Sequence, residues 1–486
     1  MNEQLWQRSA LELGVLIGAR DVSSREVVQA HLDRIGEVND TVNAVTVVLA
    51  DEALAAADRA DAEVAAGNRR GPLHGVPFTI KENIDHVGSA TTQGLPAMAD
   101  AVPPLDAPTV ERMLAAGAVP LARTNLPEMG LRITTDNPLR GATANPWAHG
   151  LTAGGSSGGE AVAIAVGMSP MGIGNDLGGS LRNPAYCCGI TSIKATVGRV
   201  PEAHSLPPED ASIAFQLMTS EGPMARRVAD VRTGLEVMAG WHPRDPRSVD
   251  APLVGPEPAV RTVALVPEVP GVAVDATIAD AVRRAGQALA DAGWQVVEVV
   301  PPEVELVTEL WAALLSADVS FMRPLLEPLM SPDAMRLLDA FEAMNQDAPA
   351  HPLVTAERAR VQRAWSAFLI EHPLIVGPTW CLPPFEEGAD VAEPIDPAVT
   401  IDRLRFITPG NLLGIPSVPV PTGLVDGLPT GVQVYAERWR EDLCLDGAAT
   451  IEAALGTLTP IDPVGGSGLA DPECREPFEP ERPPPI

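Results

Sequence analysis

Cationic side chains are few in this chain. Its 486 residues include 34 lysines and arginines against 64 aspartates and glutamates, which gives a formal net charge of −30. Binding to nucleic acids depends on lysine and arginine neutralising phosphates. The balance therefore excludes a phosphate-tracking surface, and we expect no nucleic-acid partner.

Long apolar runs are also missing. No stretch of 18 uncharged apolar residues occurs, and the N-terminal sequence MNEQLW lacks the basic stretch and apolar run of a secretory leader. We therefore expect a soluble, cytoplasmic protein that needs no membrane partner.

The cysteine pattern indicates neither a disulfide framework nor a zinc site. The chain has five cysteines, an odd number, and no C-x-x-C spacing. These features favour a reducing compartment, and we expect no metal and no cofactor. The adjacent Cys187 and Cys188 are typical of small buried residues rather than of nucleophiles.

Alternating helical and strand-like segments are what the sequence does contain. Hydrophobic residues make up 45% of the chain, enough for a large core. Ser23 and Glu26 have the spacing of a capping box before a helix. A short apolar strand at residues 75–80 ends just before Lys81. This alternation predicts an α/β fold. Further predicted elements are helices at residues 51–66, 109–116 and 159–168, and strands at residues 118–122, 260–266, 296–300, 374–376, 418–420 and 431–435.

The chain shows no internal repeat, so we expect residues 1–460 to form a single domain. Residues 243–258, rich in proline and aspartate, are a candidate internal boundary. Residues 461–486 contain many prolines and acidic residues with little to bury. We expect them to form an extended or mobile tail.

Two serines lie in glycine-rich runs, Ser156 in GGSSGG and Ser180 in NDLGGS, with Lys81 upstream. Glycines around a serine free backbone N–H groups to face an anion. A serine nucleophile needs a base, which is usually a histidine. None of the eight histidines lies in a recognisable catalytic motif, so a lysine that burial keeps neutral is the remaining option.

Glycine-rich loops also form turns and phosphate cradles. Neither loop contains Gly-Lys-Ser/Thr, and residues 172–177 do not complete G-x-G-x-x-G because Leu177 takes the last position. Residues 154–158 match G-x-S-x-G, yet no apolar strand precedes them as a nucleophile elbow requires.

An ordered series of motifs resembles the amidase signature family of serine hydrolases. The resemblance implies an α/β fold of that family, with a large mixed central β-sheet covered by helices on both faces. The matching segments are residues 75–83, 124–125, 145–147, 154–160, 174–182, 189–194, 198–199, 222–226, 427–429 and 431–433.

This resemblance also implies the catalytic roles. Ser180 is the nucleophile that forms the acyl-enzyme, Ser156 relays the proton after a cis peptide bond with Gly155, and Lys81 is the base. The N–H groups of residues 177–180, from Leu177 through Gly178 and Gly179 to Ser180, form the oxyanion hole.

Other positions support or line the site in the same resemblance. Gly130 corresponds to a substrate-lining residue in some relatives. The residues that hold the loops by hydrogen bonds are Ser157, Asp176 and Arg182.

Three positions depart from the family pattern. Glu82 stands where aspartate is commoner, Asn175 where threonine usually precedes the aspartate, and Ala153 where proline usually precedes the double glycine. We interpret each as a change around the catalytic residues that alters fine geometry and substrate range.

The segment 314–344 is rich in methionine, leucine and phenylalanine at helical spacing. This spacing is typical of core, and the alternative is an adaptable apolar wall over the site. Trp311 and Trp380 are candidates for aromatic faces there.

The sequence thus predicts a hydrolase that cleaves amides through an acyl-enzyme, acting on medium-sized apolar or aryl amides. A carbamate (urethane) or an ester is the alternative small-molecule substrate. Two other interpretations are a glutaminase component of a tRNA-dependent amidotransferase, which the acidic charge disfavours, and a non-catalytic protein on the same fold. A monomer or a homodimer is expected.

Overall fold

The computed structural model describes residues 4–207, 210–349 and 351–464. Within them the chain forms eleven strands. These are β1 (Val45–Val48), β2 (Pro77–Lys81), β3 (Val119–Thr124), β4 (Met171–Asp176), β5 (Thr191–Ser192), β6 (Ser220–Ala225), β7 (Thr262–Leu265), β8 (Gln295–Glu298), β9 (Leu374–Pro378), β10 (Ser417–Val425) and β11 (Leu428–Tyr435).

Fifteen α-helices occur in the same residues. They are α1 (Ala10–Ala19), α2 (Ser24–Val42), α3 (Ala50–Ala65), α4 (Pro108–Ala115), α5 (Gly158–Ala165), α6 (Arg182–Cys188), α7 (Ile213–Met218), α8 (Val228–Met238), α9 (Ala276–Asp291), α10 (Val304–Leu326), α11 (Pro332–Met344), α12 (His351–Glu371), α13 (Ala398–Leu404), α14 (Thr408–Leu412) and α15 (Glu441–Leu455).

The strands form two sheets that meet edge to edge. The first has the order β1-β3-β2-β4-β6-β5 and the second β10-β11-β9-β7-β8. Lys194 and Ser417 join them by two backbone hydrogen bonds of 2.9 Å each. In the first sheet antiparallel pairs flank the parallel ones, whereas in the second sheet the parallel pairs β9-β7 and β7-β8 lie at one edge. Both sheets are mixed, as predicted.

Helices pack on both faces of this sheet because alternate strand residues face opposite cores. On β9, Leu374 and Val376 belong to one buried cluster and Ile375 to the other. Helices α1, α4, α8 and α15 contribute to the first cluster, whereas α5, α6, α10 and α12 contribute to the second.

Local sequence signals placed several elements correctly. The Ser23 side chain accepts from the Glu26 N–H at 3.1 Å and Glu26 accepts from the Ser23 N–H at 2.8 Å, the expected capping box. The predicted strand before Lys81 is present as β2, which begins two residues later than predicted and includes Lys81 as its last residue. Helix α5 is wholly buried as predicted, but it ends at Ala165 because Gly167 adopts φ +79°.

The segment 243–258 connects α8 to β7, and one buried cluster includes residues on either side, such as Leu235 and Val263. The single-domain organisation stays a prediction. The start of the predicted tail is ordered: the Ile461 N–H donates to Ala165 O at 2.9 Å, and Asp462 pairs with Arg34. Residues 465–486 of that tail lie outside the described residues.

The described cysteines are buried and free: Cys187, Cys188, Cys381 and Cys444. Burial raises the pKa of the Cys187 and Cys188 thiols, so neither is an activated nucleophile and their assignment to the core is confirmed. In the part of the chain that the structure describes, no helix has the length and apolarity needed to span a bilayer.

Candidate active site

Lys81, Ser156 and Ser180 come from three segments that meet at one edge of the sheet. Strands β2 and β4 are parallel neighbours, and Ile80 pairs with Ile173. Their carboxyl ends therefore lie side by side, with Lys81 ending β2 and the Ser180 loop following β4. Ser156 comes from the loop before α5, the helix whose Glu160 side chain accepts hydrogen bonds from Thr79 on β2 and Thr124 on β3.

The Lys81 ammonium group lies against the Ser156 hydroxyl. Nζ donates to Ser156 Oγ at 2.7 Å and to Asn175 Oδ1 at 2.7 Å. Burial lowers the pKa of Lys81 to about 7, although the charges of Asp176 and Glu160 oppose this shift. A large fraction of Lys81 is therefore neutral at neutral pH and is able to accept a proton.

Behind Lys81 lies a second buried ionisable group, Glu160. Its carboxylate accepts hydrogen bonds from Thr79 Oγ1 and from Thr124 Oγ1, the latter at 2.7 Å. Burial raises the pKa of Glu160 to about 7. Lys81 thus has a neighbouring carboxyl group that is only partly ionised at neutral pH.

The peptide bond between Gly155 and Ser156 is cis. Its neighbourhood leaves no space for a side chain, since an added Cβ on Gly155 would lie 2.7 Å from Thr134 O. The Gly155 carbonyl accepts from Asn183 Nδ2 at 3.1 Å, and Asn183 Oδ1 accepts from Trp380 Nε1 at 2.8 Å. These bonds fix the backbone that carries Ser156.

The Ser180 loop is built around the buried Asp176 carboxylate. Asp176 accepts from Arg182 Nε and Nη2 at 2.9 and 3.0 Å and from Asn411 Nδ2 at 2.8 Å. Although burial opposes ionisation, the Arg182 guanidinium lowers the pKa of Asp176 to about 2. The Ser157 N–H donates to Ser180 O at 3.2 Å and ties the two serine loops together.

The predicted oxyanion donors are not equivalent. Leu177 O accepts from Trp311 Nε1 at 3.1 Å, and Gly178 O accepts from Asn183 Nδ2 at 3.0 Å. In a trans peptide the N–H points opposite to the C=O. The two bonds therefore orient the N–H groups of Gly178 and Gly179. The Gly179 N–H donates to Asp176 Oδ1 at 2.8 Å. This engagement argues against Gly179 as an oxyanion donor and corrects that part of the expectation.

Two cavities open on Ser180 and share Gly130, Leu131 and Leu177. The first is apolar. Its side chains include Ile133, Trp311, Leu315, Val319, Leu338 and Phe341.

The second cavity is larger, about 230 Å³. Ser156 and Asn175 line it, together with carboxylates from residues 85, 202 and 210.

Gly130 lies where the two cavities meet, with φ +68°. An added Cβ there would lie 3.1 Å from Ser156 Oγ. Glycine at this position therefore keeps the space around the relay serine open, consistent with its expected place in the lining.

The methionine-rich segment is both core and wall. Val319, Leu326 and Met335 belong to a buried cluster, while Met322 and Phe341 line the cavities. Trp311 contributes an aromatic face as expected. Trp380 does not, since it is fully buried and is absent from the lining of both cavities.

The sequence analysis treats Asn175 as a peripheral change, yet its side chain contacts Lys81 directly. The strand register was the available signal. Ile173 on β4 pairs with Ile80 on β2, so Asn175, two residues after Ile173, comes close to Lys81, one residue after Ile80. Of the other departures, the buried Glu82 pairs with the partly exposed Arg140, and Ala153 is buried in the core.

Known proteins resemble this chain over most of its length. A family model described as Amidase matches residues 26–445. This chain belongs to the amidase signature family. It is an enzyme that hydrolyses amide C–N bonds, as the sequence motifs predicted.

Individual relatives cover nearly the whole chain. An indoleacetamide hydrolase of Bradyrhizobium diazoefficiens is 40% identical over 466 residues, 93% of this chain and 88% of that relative. One component of the glutamyl-tRNA(Gln) amidotransferase of Acidothermus cellulolyticus is 32% identical over 488 residues, 93% of this chain and 95% of the relative. The solved structure of a 6-aminohexanoate cyclic dimer hydrolase complexed with substrate superposes with a TM-score of 0.77 at 28% identity, covering 93% of this chain and 98% of that one.

Proposed function

We propose that this amidase works through an acyl-enzyme on Ser180, with Ser156 as proton relay and Lys81 as base. The observation that carries the proposal is the 2.7 Å contact between Lys81 Nζ and Ser156 Oγ, made by a buried amine whose pKa lies near 7. A lysine of ordinary pKa would hold its proton at neutral pH. The desolvated Lys81 is able to take it.

The reaction has two steps, acylation and deacylation of Ser180, and the same proton relay serves both. Ser180 Oγ attacks the amide carbon while its proton passes to Ser156, whose own proton passes to Lys81 Nζ. The relay then returns a proton to the leaving nitrogen, the C–N bond breaks, and the acyl group stays on Ser180 as an ester. Water attacks this ester by the same route and releases the carboxylic acid.

Donors at the carbonyl oxygen come from the loop after β4. With the Gly179 N–H engaged by Asp176, we assign the oxyanion hole to the N–H groups of Leu177, Gly178 and Ser180. Each such donor contributes about 2.7–4 kcal/mol of transition-state stabilisation. Asp176 and Arg182 act by holding the loop, and Ser157 by joining it to the Ser156 loop.

We assign the acyl group to the apolar cavity. The leaving nitrogen must reach Ser156, which lines the larger cavity and not the apolar one. The acyl group therefore extends the other way, against Trp311, Leu315 and Phe341. An aryl or medium-sized apolar acyl group suits these side chains, and the name of the indoleacetamide hydrolase relative makes indole-3-acetamide the first substrate to test.

A carbamate or an ester presents the same carbonyl to the same donors and is the alternative substrate. A glutaminase role has one supporting observation, the 32% identical amidotransferase component. The net charge of −30 and the apolar acyl cavity disfavour it.

The test is product release from indole-3-acetamide, a p-nitroanilide, an aryl carbamate, an aryl ester and glutamine. We expect the amide with an aryl acyl group, indole-3-acetamide, to have the highest kcat/KM of these substrates. Ser180→Ala should lose several powers of ten in kcat. Retention of more than about one per cent of the activity in Ser180→Ala would overturn the nucleophile assignment. Glutamine as the best substrate would overturn the acyl assignment.

A further inference from the structure

Three residues that line the larger cavity carry a buried side-chain oxygen with no hydrogen-bond partner among the described residues. They are Asn83 (Oδ1), Asp85 (Oδ1) and Thr91 (Oγ1). Asp85 and Thr91 are each only 1% exposed and Asn83 7%. Buried polar atoms in folded proteins are nearly always paired, so this wall has the character of a binding surface.

The Asp85 carboxylate is held so that one oxygen stays available. Oδ2 accepts from the Ser205 N–H at 2.6 Å and from Ser205 Oγ at 2.8 Å, whereas Oδ1 has no partner among the described residues. A carboxylate oxygen and an amide oxygen only accept hydrogen bonds. The group that satisfies them must therefore donate.

The charge of the same wall favours a cation. Asp85, Glu202 and Asp210 line the cavity, and the histidine among them, His204, lies 3.8 Å from Glu202. Although burial opposes it, Glu202 raises the pKa of His204 to about 9. His204 is thus charged and acts on both Glu202 and Asp85. One imidazolium against the three carboxylates of Asp85, Glu202 and Asp210 leaves the wall with a net negative charge.

Two further ionisable groups, Glu221 and Arg123, lie behind the wall. Burial raises the pKa of Glu221 to about 8, so Glu221 is largely neutral at neutral pH and adds little charge. Arg123 lies near Asp85 and offsets part of its charge, but its guanidinium donates to backbone carbonyls, among them Ile84 O at 2.7 Å. Asp85 Oδ1 still lacks a donor within the described part of the chain.

Position identifies which part of the substrate this wall meets. Ser156 and Asn175 line the same cavity, and in the proposed mechanism Ser156 delivers the proton to the leaving nitrogen. The leaving amine therefore enters here. Ammonia needs about as much space as one water, roughly 30 Å³, whereas this cavity holds about 230 Å³. Apolar side chains also line it, including Met98, Met322 and Leu329.

We propose that this cavity binds a leaving amine with a second, positively charged nitrogen at its far end. The preferred substrates are then aryl or apolar acyl amides of short diamines. The methylene stem contacts the methionine and leucine side chains, and the terminal ammonium donates to Asp85 Oδ1, Asn83 Oδ1 and Thr91 Oγ1. This assignment rests on the proposed function.

Three amides of one arylacetic acid test the assignment: N-pentyl, N-(4-aminobutyl) and N-(3-carboxypropyl). The chains are similar in length and differ in the terminal group. We expect kcat/KM for the aminobutyl amide to exceed that of the pentyl amide by about ten- to a hundredfold, as a charge-assisted hydrogen bond to a carboxylate predicts. The carboxypropyl amide should be the slowest. Equal values for the aminobutyl and pentyl amides would overturn the proposal.

Variants locate the effect. Asp85→Asn should abolish the preference for the aminobutyl amide, and Asp210→Asn, at an exposed position, should reduce it. Glu236→Gln changes an exposed carboxylate outside both cavity linings and should leave the preference intact. A preference unchanged in both Asp85→Asn and Asp210→Asn would also contradict the assignment.

Inhibition of the unaltered enzyme gives a readout that needs no variant. With a primary arylacetamide as substrate, 1,4-diaminobutane should inhibit competitively and at least about tenfold more tightly than pentylamine. Equal inhibition would overturn the cation site. Failure to hydrolyse the primary amide would instead contradict the proposed function, so the two failures are distinguishable.

Discussion

Asn175 Oδ1 lies 2.7 Å from Lys81 Nζ, the same distance that separates Nζ from Ser156 Oγ. The amine is thus held between a hydroxyl and an uncharged amide oxygen. An uncharged acceptor orients Nζ without the electrostatic attraction that would stabilise its protonated form. Asn175 is therefore a positioning residue for the base.

Asn175→Asp should move the pH profile of the enzyme upward. A carboxylate this close to Nζ raises the lysine pKa by about 1–3 units, so the midpoint of kcat/KM against pH should rise by at least about one unit. The control is Asn68→Asp at an exposed position, which should leave the midpoint unchanged. An unshifted midpoint in Asn175→Asp would contradict Lys81 as the titrating base.

In the unaltered enzyme, kcat/KM should rise with pH through about 7. Burial lowers the pKa of Lys81 to about 7, and only the neutral amine accepts the proton, so activity is low below that value and reaches a plateau above it. Lys81→Arg stays protonated at every working pH and should be inactive throughout. A rate independent of pH between about 5.5 and 8.5 would count against this base.

Gly178→Ala should impair catalysis through Trp311. An added Cβ would lie 2.6 Å from Trp311 Cζ2, so either the indole or the backbone of the loop must move. A misplaced oxyanion donor costs about 10²–10³ in kcat. Trp311→Leu alone removes the bond to Leu177 O, so it is the reference for the double variant, and Gly178→Ala should cost less kcat on that background than in the unaltered enzyme. An equal cost on both backgrounds would mean that the ring is not the cause.

Asp176→Asn should destabilise the fold. Removing one partner of a buried ion pair costs about 3–5 kcal/mol, and the Asp176–Arg182 pair is fully buried. The exposed pair of Asp58 with Arg25, with side chains 56% and 52% exposed, is the control, and Asp58→Asn should cost less than about 1 kcal/mol. Urea unfolding measures both, and equal costs would contradict the prediction.

Acid titration gives the sign of the Asp176 contribution. The pKa of Asp176 is about 2 in the folded protein and about 4 in an unfolded chain. Its contribution to the free energy of unfolding is therefore fully present above about pH 4 and is lost as the pH falls toward 2. Between those values the stability difference between the unaltered protein and Asp176→Asn should shrink.

Much of the fold was predictable because its signals are local. A capping box fixed the start of α2, an apolar run placed β2, and continuous apolarity marked α5 as buried. Boundaries failed where a backbone angle decided them, as at Gly167, where φ is +79°. The contacts of residues 461–464 to distant parts of the chain were not predictable either, since no local signal encodes them.

The sequence by itself determined the family, and hence amide hydrolysis, because the ordered motifs, with the candidate catalytic residues Lys81, Ser156 and Ser180 among them, occur within one chain. Only the tertiary structure decided what those residues contact. The approach of Asn175 to Lys81, the engagement of the Gly179 N–H by Asp176 and the unpartnered Asp85 oxygen among the described residues of the larger cavity depend on how the strands and loops fold together. Local periodicity does not predict such contacts, because residues as far apart as 81 and 175 become neighbours only when the sheet forms.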